Sequence, residues 1–497
     1  MNSERLSQLS VGGLMIGMSK DGRQIYLDSE DTHTLVIGAT RSGKSRTVVI
    51  PSICLMALAG ESMITVDPKA ELYLYTQPFL ERLGYEVIAL DFRNPALSNQ
   101  YNFLQPVIDK VNAGDLPRAV QSARDIATML VTPNDKTEPI WIDGQRAALT
   151  MAILAVVVDN VNHPEYQNLS NARQFVAKMC TPGPNGILPI ARYLRNCPKD
   201  HPAQMAVDIA NIAPSKTRGS FYTSALVTLD LFTDPTIHSM TSATDFDHTA
   251  TGTKKRAIFI ILPDDRSTYY PLASLFVYQH YQTLSEISQQ HGNRLPIRTN
   301  FLCDEFGNFT KIPEFSTLFT VGAGRGIRFH LFLQDFSQLV EKYGGNISKT
   351  IRTNASTWIY LSSKDSSVQE EISKMMGNYT TKSSGMSGSS GGQTSANFNF
   401  ISRPLLNPDE IQQIKRPYQL VLPGTHPVIM YAPDLSKMIF NKMLGLGDKE
   451  HNKSVILKRS RQRKERPIKT AYWGIWDYYI RQIYIETVNA VQNEGEH

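Results

Sequence analysis

The run Gly38-Ala39-Thr40-Arg41-Ser42-Gly43-Lys44-Ser45 constrains this chain more than any other stretch, because it lies between the apolar segment TLVIG and a segment of helical periodicity. The spacing G-x-x-x-x-G-K-[ST] lets a glycine-tolerant backbone turn its N–H groups inward around a phosphate. It sets Lys44 on the β/γ-oxygens and offers the Ser45 hydroxyl to Mg²⁺. A helix beginning near Lys44 brings its positive dipole end to the same point. Strand, phosphate loop and helix in this order predict nucleotide binding on an α/β fold.

With 497 residues, of which 41% are hydrophobic and 9% aromatic, the chain has material for two to four domains with full cores. Its longest apolar run, Ala152 to Val158, falls short of the ~18 residues that span a bilayer, so no membrane crossing is expected. The opening residues MNSERLSQLS have neither the basic nor the apolar region of a signal peptide. Cys54, Cys180, Cys197 and Cys303 form no C-x-x-C pair, which argues against a disulfide framework or a zinc site and for a reducing cytosol. The 11 histidines are not clustered either, leaving Mg²⁺ beside the nucleotide as the expected metal.

Strand and helix signals alternate from TLVIG through SMITVD to YEVIALDF, which indicates a parallel sheet with crossover helices. From about Pro106 to Met240 the strand signals stop, and helical patterns such as DLPRAVQSARDIATML and IDGQRAALTMAILAVVVDNV take over. Alternation resumes with RAIFIILPD, RTNFLCDE, RFHLFLQD, STWIYLSS and PVIMYAP. The expected organisation is a nucleotide-binding domain in two parts, 1–106 and 241–445, split by an all-α insertion, 107–240, and followed by a basic and aromatic tail, 446–497. Ser383 to Asn397, SSGMSGSSGGQTSAN, has too few apolar groups to be held in place and is expected to be a mobile surface loop.

The net charge of +5 is modest, but Lys453 to Lys469 holds Lys458, Arg459, Arg461, Arg463, Lys464 and Arg466 against one acid, Glu465. Such a run reads as a solvated tail and as the densest candidate grip on an anionic partner. In the following stretch Trp473, Trp476, Tyr479, Ile483 and Val488 share one helical face, so residues 472–491 are expected to pack on another domain or subunit.

Hydrolysis needs more than a phosphate loop: a Mg²⁺-orienting carboxylate and a group that positions water. The strand end FLCDEF supplies Asp304 for the Mg²⁺ shell and Glu305 for the water. Gln334 ends the next strand, where parallel sheets bind ligands, and is a γ-phosphate sensor candidate. Between these strands GAGRGIR holds Arg325 and Arg328; one of them, preferably Arg325, would reach the nucleotide of a neighbouring subunit in trans. DPKAE, Asp67 to Glu71, closes the second strand beside the loop.

In order and spacing, GATRSGKS, DPKAEL, YNFLQP, LCDEFGNFTKIPEF, GRGIRFHLFLQDFSQL and RPLLNPDEI resemble the coupling proteins of type IV secretion systems, the TraG-like conjugative DNA-transfer ATPases. The resemblance covers about residues 11 to 435. It implies an α/β RecA-like parallel-sheet nucleotide-binding domain with an inserted all-α domain, assembled as a homo-hexamer at the cytoplasmic face of the cell membrane. It further implies ATP and Mg²⁺, single-stranded DNA, relaxase and relaxosome proteins, and the secretion channel with its inner-membrane components as partners. Lys44, Ser45, Asp304, Glu305 and Gln334 would be the ATPase residues. Members of this family begin with two spanning helices that this sequence lacks, which implies a separate anchor or the cytoplasmic portion of a longer chain. A motor or recruitment platform for protein substrates alone is the competing expectation.

Overall fold

The computed structural model describes residues 9–131, 138–184, 186–388 and 394–494. Seven strands run parallel: β3 (His33–Gly38), β4 (Ser62–Asp67), β5 (Glu86–Asp91), β6 (Arg256–Ile261), β7 (Thr299–Cys303), β8 (Ile327–Leu333) and β9 (Ala355–Ser362). Four antiparallel strands extend the sheet past β9: β1 (Leu14–Met18), β2 (Ile25–Asp28), β12 (Tyr418–Leu422) and β13 (Val428–Tyr431). The complete order is β2-β1-β13-β12-β9-β3-β8-β7-β4-β6-β5.

The parallel strands are near-continuous apolar runs because both of their faces are covered. Alternate residues serve two cores. Leu35, Ile37, Ile64, Val66, Ile258 and Ile260 face a core shared with the helices between β5 and β6 and with the helix Tyr270–Gln290. Val36, Met63, Ala257, Phe259 and Ile261 face the helices Ile50–Leu58 and Glu71–Arg82.

Among the described residues every element between β5 and β6 is helical, from Pro95–Leu97 to His248–Ala250. At the centre of this helical block lies Pro139–Val158, long and apolar enough by composition to cross a membrane, with 67% of its most apolar window buried against its neighbours. It is a core helix here. The short-run criterion missed its length because Asp143, Gln145 and Arg146 interrupt the apolar pattern in its first half.

Two expectations are corrected. The serine- and glycine-rich segment lies largely within a hairpin, β10 (Asn378–Gly388) with β11 (Thr394–Pro404), paired from Asn378↔Pro404 to Gly388↔Thr394; residues 389–393 lie outside the described residues. A two-stranded ladder is held by backbone hydrogen bonds, so apolar content is a poor guide to it. The basic segment is not a detached tail. The helix Lys449–Arg461 lies on Glu71–Arg82, and the chain then runs as a strap to the helical block.

Two arginines of that run face inward, and a third is paired at the surface. Arg459 donates to the carbonyls of Leu74 and Tyr75, Arg463 pairs with buried Asp91 and lies over the Tyr73 ring, and Arg466 pairs with Asp245. Farther on, Lys469 N donates to Ser239 Oγ at 3.0 Å, Asn171 bonds the backbone of Ala471 and Trp473, and Trp473 stacks on Phe175. The terminal helix Ile475–Glu494 buries Trp476, Tyr479 and Ile483 against Leu169–Met179 and Pro189–Asn196. Val488, expected on that face, is exposed.

Candidate active site

Segments far apart in sequence meet at the carboxyl ends of the parallel strands because β3, β4 and β7 all point there. A cleft of about 190 Å³ is lined by Ala39 through Arg46, by Asp67, Pro68, Lys69, Glu71 and Leu72, and by Asp304 and Glu305. After Gly38 the loop turns through Arg41 (φ +65°) and Gly43 (φ +88°), with Ser42 N donating to Ala39 O at 2.9 Å. A Cβ on Gly38 would lie 2.4 Å from Ser42 Oγ and 3.0 Å from Lys44 Cγ, so the loop closes on its own strand only with glycine there. The helix that follows opens with a wide turn, Ser45–Val49, and continues as Ile50–Leu58.

Lys44 is buried, its ammonium 2.8 Å from Gly38 O and 3.7 Å from Glu305 Oε1. Gln334 Nε2 donates to Glu305 Oε2 at 3.0 Å, while Gln338 Oε1 accepts from Gln334 N. The structure thus brings Lys44, Glu305 and Gln334 into one chain of contacts, with Asp304 next to it and its Oδ1 accepting from Glu305 N. Asp67 closes the opposite wall, accepting from the backbone of Lys69 and Tyr73. Three of the five non-glycine residues with positive φ among the described residues, Arg41, Ala70 and Glu305, cluster here. Each such backbone costs about 1–3 kcal/mol, and such strain concentrates at functional sites.

The carboxylates are under-compensated. Burial, then the neighbouring Glu305, push Asp304 up to about 6. Burial pushes Asp67 up to about 7, with Asp304 adding to the rise. Ser42 Oγ is buried with no hydrogen-bond partner among the described residues. Buried carboxylates only partly offset by Lys44 and Lys69, beside a phosphate-type loop, fit a divalent cation carried by an anionic polyphosphate.

The two arginines of GAGRGIR part ways. Arg325 stands before β8, at the amino end of the sheet, and donates to Ser285 Oγ. It is not near its own chain's cleft. Arg328 lies within β8, 0% exposed, its guanidinium on Glu61, Asn300 and the Gly12 and Glu30 carbonyls. That burial removes it from any role across a subunit boundary.

Two contributors escaped sequence reasoning. Arg46 makes a two-pronged pair with Asp434, Nε at 2.7 Å and Nη2 at 2.8 Å, which together with backbone N–H donation holds the Asp434 carboxyl well below its usual range. Arg416 bonds the carbonyls of Arg41 and Ser42. Both partners come from the antiparallel extension; because β12 runs opposite to β9, its start lies beside the phosphate loop. No local pattern announces that proximity.

A family profile described as type IV secretory system conjugative DNA transfer matches residues 2–457. The chain belongs to this family. Among its relatives, protein VirD4 of Agrobacterium fabrum is 26% identical over 430 residues, covering 84% of this chain and 61% of VirD4. Conjugal transfer protein TraG of Escherichia coli is 25% identical over 430 residues, covering 83% of this chain and 66% of TraG. The chain therefore spans about three fifths, 61%, of the length of the VirD4 relatives it matches. Plasmid coupling protein TrwB, solved in complex with ADP and Mg²⁺, shares the fold at a TM-score of 0.61 with 17% identity, over 90% of this chain and 94% of TrwB. The conjugative DNA-transfer family match ends before most of the strap begins.

Proposed function

We propose that this chain is the ATP-hydrolysing part of a coupling protein that recruits a relaxase–DNA substrate and energises its passage through a type IV secretion channel. The observation that carries the reading is the chain of contacts Lys44–Glu305–Gln334 beside buried Asp304, on the phosphate loop of a conjugative DNA-transfer family member. In this reading residues 1–106 and 241–445 form the RecA-like domain, 107–240 the all-α insertion that meets the substrate, and 446–497 its tie. Six copies assemble at the cytoplasmic face of the membrane, and Arg325 serves the neighbouring copy's nucleotide.

Lys44 neutralises the β/γ-oxygens of bound ATP, and the Gly43 and Lys44 N–H groups orient them. Ser45 and Asp304 would hold Mg²⁺, which would supply counter-charge to the phosphates. Glu305, oriented by the Gln334 amide, takes a hydrogen bond from the attacking water and aligns it with the γ-phosphorus. The test is phosphate release with and without single-stranded DNA, on the chain as it stands and on Lys44→Ala. Removing the charge clamp lowers turnover at least ~10²-fold, and DNA raises the wild-type rate. DNA binding itself weakens with salt at a slope of about −0.7 per phosphate neutralised. Turnover indifferent to every single-stranded oligonucleotide supports the protein-substrate reading instead, and an active Lys44→Ala places the nucleotide elsewhere.

A further inference from the structure

The phosphate loop has an inner side, where N–H groups meet the anion, and an outer side, where carbonyls point away. Arg416 occupies the outer side. Its Nε donates to Ser42 O and its Nη2 to Arg41 O, the latter at 2.6 Å. The N–H and C=O of one trans peptide point in opposite directions. A cation fixed on Ser42 O therefore turns the N–H of Gly43, the other half of that peptide, inward. Ser42 N–H is already committed to Ala39 O at 2.9 Å, which leaves the Gly43 N–H as the one whose aim the guanidinium sets.

The loop is shaped around this contact. A Cβ on Gly43 would fall 2.1 Å from Arg416 Nη2 and 2.4 Å from its Cζ, so the absence of a side chain at Gly43 makes room for the guanidinium as well as permitting φ +88°. A planar fork spans two adjacent carbonyls, whereas an ammonium is a single point. The side chain is delivered from outside the nucleotide fold proper, by the turn between the helix Pro408–Gln412 and β12. We propose that Arg416 is a positioning residue of the ATPase site, holding the phosphate loop from its carbonyl side in the anion-binding shape. This rests on the nucleotide reading given above and adds to it a residue that touches neither phosphate nor metal.

The experiment measures Mg²⁺–ADP affinity by titration calorimetry and steady-state ATP hydrolysis for the full chain and for Arg416→Ala, Arg416→Lys and Lys44→Ala. Loss of charge-assisted bonds to the loop weakens ADP binding and raises KM for ATP about tenfold in Arg416→Ala, with kcat at saturation within about twofold. Arg416→Lys falls between, and added guanidinium at millimolar concentration restores affinity to Arg416→Ala without affecting wild type. Arg416→Lys also serves as the variant read out should the alanine form fail to fold. ADP affinity within about twofold of wild type in Arg416→Ala overturns the proposal, as does a fall in kcat at unchanged KM, which would place the guanidinium on the transition state. If Lys44→Ala keeps its turnover, the nucleotide reading itself fails; if it is inactive while Arg416→Ala is normal, only the positioning role fails.

Discussion

The two ends of the same parallel strands handle buried charge in opposite ways. At the amino end Glu61, 6% exposed, takes bonds from Arg328, Arg298, Asn300 and the Gly12 N–H, and Arg298 and Arg294 in turn hold Asp31. Every lone pair of Glu61 has a donor. At the carboxyl end Asp67 and Asp304 are buried just as deeply with far less opposing charge, and both are driven toward protonation. The first charge is satisfied within the fold; the second, in the function proposed above, is the one that a bound cation would satisfy.

The largest effect expected from this contrast lies at the satisfied end. Arg328→Ala strands Glu61 and should cost about 3–5 kcal/mol in urea unfolding, while leaving Mg²⁺–ADP affinity of the folded fraction unchanged. A loss under about 1 kcal/mol would show that the two ends do not differ in kind. Next comes chemistry: Glu305→Gln should bind ATP yet hydrolyse it at least ~10²-fold more slowly, accumulating the ATP-bound form, because an amide orients water poorly.

Asp304→Asn sharpens the contrast, because it should move function and stability in opposite directions. Its folded-state value lies above the unfolded one, so the ionised carboxylate destabilises the fold as pH rises from about 4 through 6, and at pH 8 that cost is present in full. The asparagine variant should unfold roughly 1–3 kcal/mol later at pH 8 without nucleotide, and lose Mg²⁺-dependent nucleotide binding. A destabilised Asp304→Asn would mean the carboxylate is satisfied after all.

Acid acts on four buried rings together. Burial lowers His33 and His238 to about 4, His280 to about 3, and His330 also falls well below its usual value. Below the unfolded value of about 6.5 the unfolded chain takes up protons that these rings refuse, so stability should fall steadily from pH 6.5 toward 4. Each histidine contributes at most about 1.4 kcal/mol per pH unit. Melting temperatures flat across that interval would count against neutral buried rings. The smallest change is Arg466→Ala: its pair with Asp245 is part-exposed and should be worth under about 1 kcal/mol in thermal unfolding.

Much of this was readable from residue order. The seven parallel strands carry apolar runs that only a doubly covered sheet needs, and each was expected where it stands, with Asp304, Glu305 and Gln334 at strand ends. The first two strands and β12 were not expected. Leu14–Met18 and Ile25–Asp28 are only five and four residues long, and an antiparallel neighbour depends on pairing across some four hundred residues, Met18 with Tyr431. For the same reason Arg416 and Asp434 carried no signal, since each works through a strand direction and not through a motif. Charge density misled in one place: Arg459 and Arg463 read as solvent-facing, because periodicity does not reveal carbonyl or carboxylate acceptors on other elements.

The strap has a mechanical consequence. The helical block joins the sheet by two chain crossings, one after β5 and one before β6, and by an apolar core that it shares with the strands. By fixing Ser239 and Asn171 to a segment anchored at Asp91, the strap adds a further tie, polar where the shared core is apolar. A force on the helical block is thereby carried to the carboxyl end of β5 by a path separate from the core, at the same edge of the sheet as the phosphate loop.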